Sequence, residues 1–574
     1  MYDVYVYELG ANDYEAVDSS GTTIDSGSNG MAVFQSGISA CPVGGRIYAE
    51  GEYTYSNTSD QLSIDSGKRL VGYGCTIYNE TGTDTAVIEI VGSRESGDDT
   101  TLAQSANEDD NSVIVSDSSG YSVGDTVVVL NDNILSVDDS TRNEGELHYI
   151  IEVDGASDML RFDDPLYFDH TTADNGRVKR IDAETAYIEG VTIEGSGATV
   201  NELGISLRYT AKCVIEDVDL SKMGYRLIDC INTYGTVVRH SDLRESDVNG
   251  DGYGIRMRNG CTKSIIHDNQ FTRCRHCVAH SATGDDGLQR DTYITDNVFT
   301  GTMNGSTLDS HDAVLSWYII NNHLTSSPGS AAITNGAKET YVFGNANTGV
   351  VSEEDRGGFY RSRDSIFNGE RRLVIQDNSI KRSGRLNVID LRAGAGRDYD
   401  TVRIDGNDFL ECRENIVRFS TNIDSFIFDN NTLTACESAI LRFDESTSVD
   451  LNSGSICGNT MNNCGTPFVV VGSFGTLANI DMSHNTFLKP RDQSSGGLIL
   501  FDNLENSVIS NNTIQDPNGN VSTAISLDTG TSGNLVRDNN VRHTGSTTVY
   551  SDSGTDNTDF DNYESSGSGW SEVT

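Results

Sequence analysis

The motif Ile266-His267-Asp268-Asn269-Gln270-Phe271 is one copy of a repeat that runs through most of this chain. In each copy a hydrophobic residue is followed, two positions later, by Asp, Asn or Gly, then by Asn, and a second hydrophobic residue closes the motif. Later copies are Ile294–Phe299, Ile319–Leu324 and those centred on Asn345, Asn378, Asn407, Asn431, Asn459, Asn485, Asn512 and Asn539. Degenerate copies are centred on Val191, Val218 and Ser241. The centres lie about 27 residues apart, a spacing typical of solenoid repeats.

A second strand follows the centre of each repeat. Gly254–Arg258, Val388–Arg392 and Ala524–Asp528 alternate apolar and polar residues, which is the pattern of a half-buried strand. Because no helical segment separates these strands, they predict a single right-handed parallel β-helix of about 14 coils, with an all-β fold. We expect the Asn residues to adopt a left-handed backbone at a tight corner and to hydrogen-bond from coil to coil.

The eleven cysteines fit the same repeat. Cys274, Cys412, Cys436 and Cys464 each lie five residues after the repeat Asn, where Ser246 and Ser383 stand in other coils. This pattern predicts an inward position for small side chains and reduced, buried thiols. The alternative, a metal or redox site at Cys274-Arg275-His276-Cys277, rests on one isolated CxxC.

The charge of the chain excludes several classes of partner. Its 574 residues include 86 acidic and 40 basic side chains, for a net charge of −46, and the basic set is 32 Arg against 8 Lys. Such a surface repels nucleic acid and anionic lipid. Acidic excess with few Lys indicates a halophilic source, with an ordinary acidic secreted protein as the alternative. The sequence contains no apolar run of about 18 residues, so it predicts no membrane span. Met1–Tyr7 shows no signal-peptide pattern.

The first part of the chain resembles the pectin-lyase-like β-helix superfamily. Asn29–Ile38 is similar to the short amphipathic helix that caps such solenoids, Pro42–Thr54 to the first coil, and Leu70–Ile77 to a glycine-bracketed second coil. A cap is needed because the first coil otherwise exposes an apolar end and unpaired strands.

Five segments follow from these patterns. They are an attachment segment at 1–29, the cap helix and first coils at 30–92, a β-rich insertion at 93–183, the parallel β-helix at 184–545 and a C-terminal cap or tail at 546–574. The insertion is similar to those of β-helical viral spikes and polysaccharide-degrading enzymes, and its strands are expected around Val113–Val115, Val127–Leu130, Tyr149–Val153 and Leu160–Phe162.

Arginine is concentrated on one face of the second strands. Alignment of the coils places Ser206, Asp229, Arg256, Ala279 and Asp309 in one outward column, continued by Thr334, Arg361, Asp390, Arg418, Arg442, Val470 and Leu500. One interpretation is a surface ladder of ion pairs, and the other is a groove for an acidic or hydroxyl-rich glycan. The candidate glycan-binding residues are Arg256, Arg258, His276, Arg361, Arg363, Asp390, Arg392 and Arg418.

A catalytic site, if the chain has one, is expected beside this face. Asp309 or Asp312 would act as general acid or base, with help from His280 or His311. The polygalacturonase-like set is incomplete, because Asn249-Gly250-Asp251 and Asp285-Asp286 occur without the Gly-His-Gly and Arg-x-Lys that should follow. A pectate-lyase-like site would require calcium-binding carboxylates that face an arginine base.

A cation site is the only cofactor that the sequence suggests. Asp247, Asn249 and Asp251 copy the first half of a calcium loop, but Arg258 stands where an EF-hand has Glu. The expectation is therefore no tightly held cofactor, with a divalent or monovalent cation at the surface as a candidate.

The resemblance to β-helical tailspikes implies a function for the whole chain. It implies a virion spike or tail-fibre protein that forms a homotrimer. The acidic composition adds the expectation that the virus infects a halophilic archaeon, and the missing signal-peptide pattern fits assembly in the host cytoplasm. Its partners would be other virion proteins, through the N-terminal segment, and a host-surface glycan or S-layer glycoprotein, with contact between subunits near Val470 and Leu500. The alternatives are a secreted, extracellular polysaccharide lyase or glycoside hydrolase acting on acidic glycans, and an S-layer or adhesin-like protein.

Overall fold

A computed structural model of the chain shows an all-β parallel β-helix, which confirms the predicted fold class. It describes residues 2–94, 99–136, 139–197, 200–246, 248, 250–281, 287–301, 305–311, 314–325, 330–348, 358–363, 365, 367, 370–383, 387–392, 397–438, 440–443, 449–465, 468–470, 475–491, 497–544, 547–565 and 571–573. The chain forms two compact units, residues 1–303 with 308–317 and residues 304–307 with 318–574. In the described residues, no helix is long and apolar enough to cross a membrane.

Unit 1 builds its coils from three parallel sheets, which we call A, B and C. Sheet A contains Arg46–Tyr55, Arg69–Val71, Tyr187–Glu189, Val214–Glu216, Val237–Arg239, Ile265–His267 and Thr292–Thr295. Sheet B contains the second half of Arg46–Tyr55, then Cys75–Asn79, Thr192–Gly197, Asp219–Met223, Asp242–Ser246, Gln270–Cys274 and Val298–Thr300. Sheet C contains Leu62–Ser63, Ala86–Val91, Leu203–Ala211, Arg226–Tyr234, Tyr253–Arg258, His276–Ser281 and Leu308–Ser310.

Unit 2 repeats the same three sheets, and the strand Ser316–Ile320 contains the point of division. Its sheet A strands are Glu339–Phe343, Arg371–Gln376, Tyr399–Asp405, Ile423–Asp429, Leu451–Cys457, Leu477–Ala478, Ile480–Ser483, Leu504–Glu505, Val508–Ser510, Leu535–Arg537 and Thr558–Phe560. Its sheet B strands are His323–Thr325, Ala346–Thr348, Ser379–Lys381, Asp408–Leu410, Thr432–Thr434, Thr460–Asn462, Thr486–Leu488, Thr513–Asp516, Asn540–His543, Asn562–Ser565 and the antiparallel Ser571–Val573. Its sheet C strands are Ile333–Asn335, Tyr360–Ser362, Ile389–Leu391, Val417–Phe419, Leu441–Phe443, Val469–Val470, Gly497–Phe501, Thr523–Leu527 and Thr548–Asp552.

The first 40 residues cover the open end of the first coil. Strands Val4–Gly10, Asp13–Asp18 and Thr23–Gly27 form an antiparallel meander, and Val4–Gly10 also pairs in parallel with Arg46–Tyr55. The predicted cap helix is present as Gly30–Ala40. It begins where the Asn29 side chain accepts a hydrogen bond from the Ala32 backbone nitrogen, and it buries an apolar face that includes Phe34. A single 3-10 turn, Thr58–Asp60, follows.

The insertion forms a separate antiparallel sheet in unit 1. Its strands are Ser93–Arg94, Thr100–Thr101, Ser112–Ile114, Thr126–Ser136, Asp139–Asp154, Met159–Phe162 and Arg177–Asp182, so all four strands expected from the sequence are present. A fully buried carboxylate, Glu146, accepts hydrogen bonds from the Nε2 atoms of His148 and His170, each at 3.0 Å. Arg290, from the solenoid, reaches into this cluster and donates to the Leu147 carbonyl oxygen at 2.8 Å. Burial opposes ionisation of Glu146, but the two histidines outweigh it and hold its pKa well below the ordinary value.

The predicted asparagine ladder is confirmed in both units. In each step, the backbone N–H and the side-chain amide of one Asn both donate to Oδ1 of the Asn in the next coil, at 2.8–3.1 Å. The ladder joins Asn269 to Asn297 in unit 1 and runs from Asn322 to Asn562 in unit 2. These side chains are buried, so each amide replaces the water that the corner would otherwise need.

The expected backbone conformation was wrong by one position. The left-handed residue is the one before the ladder Asn, as at Asp268 with φ 55° and Asp296 with φ 56°. The ladder Asn cannot be the turning residue because its amide must point into the corner. Asp, Asn and Gly accept the left-handed position at low cost, which explains the third position of the repeat motif.

The number of coils is larger than the sequence predicts, and the state of the cysteines agrees with the prediction. The structure has about 17 turns, against about 14 that the motif reveals. The extra turns lie before residue 184, where strands stack in register without the Asn motif, and after residue 545, where Asn562 continues the ladder in a degenerate copy of the motif. All eleven cysteines are free thiols, and ten of them are buried, including Cys274 and Cys277 of the CxxC. The inward position for small side chains is therefore confirmed.

We predict that Asn431→Ala lowers the free energy of unfolding by about 3 kcal/mol, because it leaves the Asn407 backbone N–H and the Ile404 carbonyl oxygen buried without partners. Urea denaturation followed by circular dichroism measures the change. The control is Asn452→Ala, an exposed Asn of unit 2 whose replacement is expected to cost about 0.5 kcal/mol or less. Equal losses in the two variants would contradict the role of the ladder.

Candidate functional site

Sheet C carries the arginine-rich face in both units, and its register is the one predicted. In unit 1, Asp229 pairs with Arg256, Arg256 with Ala279 and Ala279 with Asp309. In unit 2, Arg361 pairs with Asp390, Asp390 with Arg418 and Arg418 with Arg442. Each step is one strand spacing, about 4.8 Å, so side chains of consecutive coils on this face lie in contact distance.

In unit 1, Arg226, Arg256 and Arg258 form ion pairs with aspartates. The Asp229 carboxylate is 2.5 Å from the Arg258 guanidinium and 2.9 Å from that of Arg226. Asp251 lies 3.6 Å from Arg256 and 3.9 Å from Arg226. Burial lowers the pKa of Arg256 from its ordinary value, and the charges of Arg226 and Arg258 lower it further. In unit 1 this cluster therefore agrees with the first of the two interpretations of the sequence, a surface ladder of ion pairs.

An aspartate between two histidines lies at the end of the same face. Asp309 is buried, with its carboxylate 3.2 Å from Nε2 of His311 and 3.9 Å from Nε2 of His276. The His276 ring stacks on Tyr253 at 5.6 Å between ring centres. The His311 side chain is 36% exposed, so it is the member of this group that meets solvent. The geometry suits a proton carrier whose charge is stabilised by a buried carboxylate.

The His280 side chain points into the solenoid, although its backbone carbonyl accepts a hydrogen bond from the His311 backbone N–H at 3.3 Å. It is fully buried, pairs in register with Met257 and Ser310, and meets Trp317 edge-to-face at 5.1 Å. Neither ring nitrogen has a hydrogen-bond partner within the described part of the chain. Burial lowers the pKa of His280 to about 3, so the ring is neutral at pH 7. In this position it cannot contact a ligand on the outer face.

Three of the four remaining catalytic and metal candidates fall on residues that the structure does not describe. Asp312, Asp247 and Asn249 lie outside the described residues. Asp251 is described, and its carboxylate faces the cations Arg226 and Arg256. The calcium-loop interpretation stays a prediction.

In unit 2, three arginines converge on one buried carboxylate. Asp390 lies 2.8 Å from Arg392, 3.8 Å from Arg361 and 3.9 Å from Arg418, measured between guanidinium nitrogens and carboxylate oxygens. The Asp390 side chain is 4% exposed, whereas those of Arg392 and Arg418 are 40% and 36% exposed. Burial lowers the pKa of Arg361, and the nearby charge of Arg392 lowers it further. We call this group the Asp390 arginine cluster.

A buried arginine that sequence analysis missed supports the cluster. The Arg371 guanidinium is fully buried and donates to the carbonyl oxygens of Asn335, Ala337, Arg363 and Arg397, at 3.1 to 3.4 Å. It also lies 4.4 Å above the Tyr399 ring. Arg371 thus anchors the backbone of Arg363, which is also one of the predicted glycan-binding residues. The Arg363 side chain is half-buried. The sequence contains Arg371 and Arg372 side by side, and nothing in it indicates that Arg371 is buried while Arg372 is exposed.

Comparison with known proteins identifies the fold and nothing finer. No family model and no curated protein matches this sequence. The tailspike protein gp49 of Pseudomonas phage LKA1 is similar in structure, with a TM-score of 0.53 and 14% identity over 84% of this chain and 75% of that one. The chain shares its fold with phage tailspikes. A second, gp61 of Pseudomonas phage phi297, has a TM-score of 0.51 and 13% identity over 84% of this chain and 73% of that one.

We predict that His280→Leu reduces the acid sensitivity of the fold. Because the pKa of His280 is about 3 in the folded state and 6.5 ordinarily, the unfolded chain binds the extra proton between these values, and stability falls as pH falls from 6.5 towards 3. The loss is at most about 1.4 kcal/mol per pH unit. Urea midpoints at pH 7.5 and 4.5 measure it, with exposed His484→Ala as control. The same pH dependence in His280→Leu and wild type would refute the assignment.

Proposed function

We propose that this chain is a receptor-binding spike of a virion that recognises an acidic glycan on its host through the Asp390 arginine cluster. The observation that carries the proposal is the gathering of arginines there. Among the described residues, three guanidiniums lie 2.8 to 3.9 Å from the Asp390 carboxylate, in a chain whose net charge is −46. A guanidinium fork matches a carboxylate or sulfate in shape, so the exposed arginines Arg392 and Arg418 can bind an anion by direct hydrogen bonds.

The shared fold of the two phage tailspikes supports a place on a virion, and the composition supports a halophilic host. At high salt, long-range attraction is screened within about 3 Å, so a ligand must be held by direct contact. Bidentate hydrogen bonds from Arg survive such screening better than diffuse charge does, because they act at contact distance. The N-terminal meander at the first coil is the proposed attachment end, and a host-surface glycan or S-layer glycoprotein is the proposed partner.

We predict that Arg392→Gln combined with Arg418→Gln weakens binding of an acidic oligosaccharide by about 100-fold or more, since each variant removes at least one charge-assisted hydrogen bond worth about 1.5–3 kcal/mol. Calorimetric titration with a hexuronate oligomer, and with a neutral glucan oligomer of the same length, measures the effect. The control is Arg382→Gln, an exposed arginine of unit 2 paired with Glu411. Equal affinity for both oligomers, or an equal loss in the control, would contradict the proposal.

We also propose that the spike is a homotrimer, with the sheet C positions Val470 and Leu500 at the contact between subunits. These two residues pair in register and continue the arginine column as apolar residues, and Leu500 is half-buried. Light scattering should give about three times the chain mass of 62.1 kDa, and Leu500→Asp should shift the mass towards one chain. A wild-type mass of one chain would refute this part of the proposal.

A second candidate function is cleavage of an acidic glycan, and the Asp309 group of unit 1 favours it. The buried Asp309 carboxylate beside the exposed His311 is the arrangement of a general base or acid held ready by an anion. Incubation with uronate polymers should then release new chain ends, and Asp309→Asn and His311→Ala should each abolish the release while the hexuronate oligomer still binds. No release by wild type over a broad panel of glycans would leave binding as the function.

A further inference from the structure

The corner between sheets A and B in unit 1 carries two histidines on consecutive coils. The last strand residues before the corner form one column, in which Glu216 pairs with Arg239 and Arg239 with His267. The next residue of each coil is the left-handed one, and His240 and Asp268 occupy that position with φ 52° and 55°. Two surface columns therefore run side by side, and the strand spacing brings neighbouring coils into contact along both.

Three groups of these columns face one another. Asp268 Oδ2 lies 2.8 Å from His267 Nδ1 and 3.9 Å from His240 Nε2. One nitrogen from each histidine and one Asp oxygen all lie within 4.8 Å of each other. The three side chains are 24% to 51% exposed, so an ion can reach them directly from solvent.

A fourth residue orients one of the histidines. Glu216 Oε1 lies 3.4 Å from His240 Nδ1, while its other oxygen lies 2.8 Å from the Arg239 guanidinium. A proton on Nδ1 of His240 that is directed at Glu216 leaves the lone pair on Nε2 facing Asp268. Metal-binding histidines characteristically donate their second N–H to a carboxylate in this way.

We propose that His240, His267 and Asp268 bind a divalent transition-metal ion of the Zn²⁺ type. Two imidazoles with one carboxylate suit Zn²⁺, Cu²⁺ or Ni²⁺, whereas Mg²⁺ and Ca²⁺ prefer oxygen ligands alone. His240 belongs to one coil and His267 and Asp268 to the next, so the ion joins consecutive coils. The corner is also the one where Ser241 replaces the ladder Asn, and the metal supplies a cross-coil link beside it.

Titration of the full chain with ZnCl₂ in an isothermal calorimeter tests the proposal. An excess of Mg²⁺ in the buffer occupies the many acidic surface sites that bind cations through oxygen alone. We expect one Zn²⁺ per chain in wild type and its loss in His267→Ala and His240→Ala. Glu216→Gln should weaken binding by about 10- to 100-fold.

Two further variants keep the test decisive. His484→Ala is the matched control, because His484 occupies the same left-handed corner position, with φ 59°, in a coil of unit 2. Asp268→Asn keeps a residue that tolerates that backbone and removes only the charge. Zn²⁺ should raise the melting temperature of wild type and His484→Ala, and of neither His240→Ala nor Asp268→Asn. Absence of the one-site binding in wild type, or its persistence in His267→Ala, would overturn the proposal.

Discussion

The coil-to-coil hydrogen bond of the buried asparagine is the interaction on which the fold depends. A parallel solenoid must turn a corner in every coil, and at that corner the strand hydrogen bonds stop. The Asn431 amide replaces them, since it binds the Ile404 carbonyl of one neighbouring coil and Oδ1 of Asn459 in the other. Where the ladder is present, each coil closes at the same height as the next, so the strands of sheets A, B and C stay in register and surface residues far apart in sequence become neighbours.

That constraint also decides where charge can be used. Neighbouring side chains on one face lie about 4.8 Å apart, close enough for ion pairs and too close for unpaired like charges. In unit 1 the carboxylates of Asp229 and Asp251 pair with the arginines of the face. Among the described residues of unit 2, Asp390 lies 2.8 to 3.9 Å from three arginines, and we propose that this arrangement suits an anionic ligand. At the His240 corner the same spacing brings His240 of one coil close to His267 and Asp268 of the next.

Much of the site could be predicted because its register follows from the repeat. The pairing of Arg361 with Asp390 and of Asp390 with Arg418 needs only the period and the alternation of the strands. The same alternation could have predicted that His280 is buried, because Ala279 occupies the outward column and the next residue of the strand must therefore point inward. Arg371 and the Glu216–His240 contact had no such signal, since a first strand residue and a corner residue are not governed by alternation.

The sequence by itself determined the solenoid, its period, its asparagine ladder, its buried cysteines and the faces of its strands, because each depends on neighbours at a constant spacing. Only the tertiary structure decided which charges are paired, which are buried and which groups converge. The reason is physical. Distances between side chains of adjacent coils depend on rotamers, on corner geometry and on contacts such as that between Arg290 and the insertion, and none of these repeats with the period.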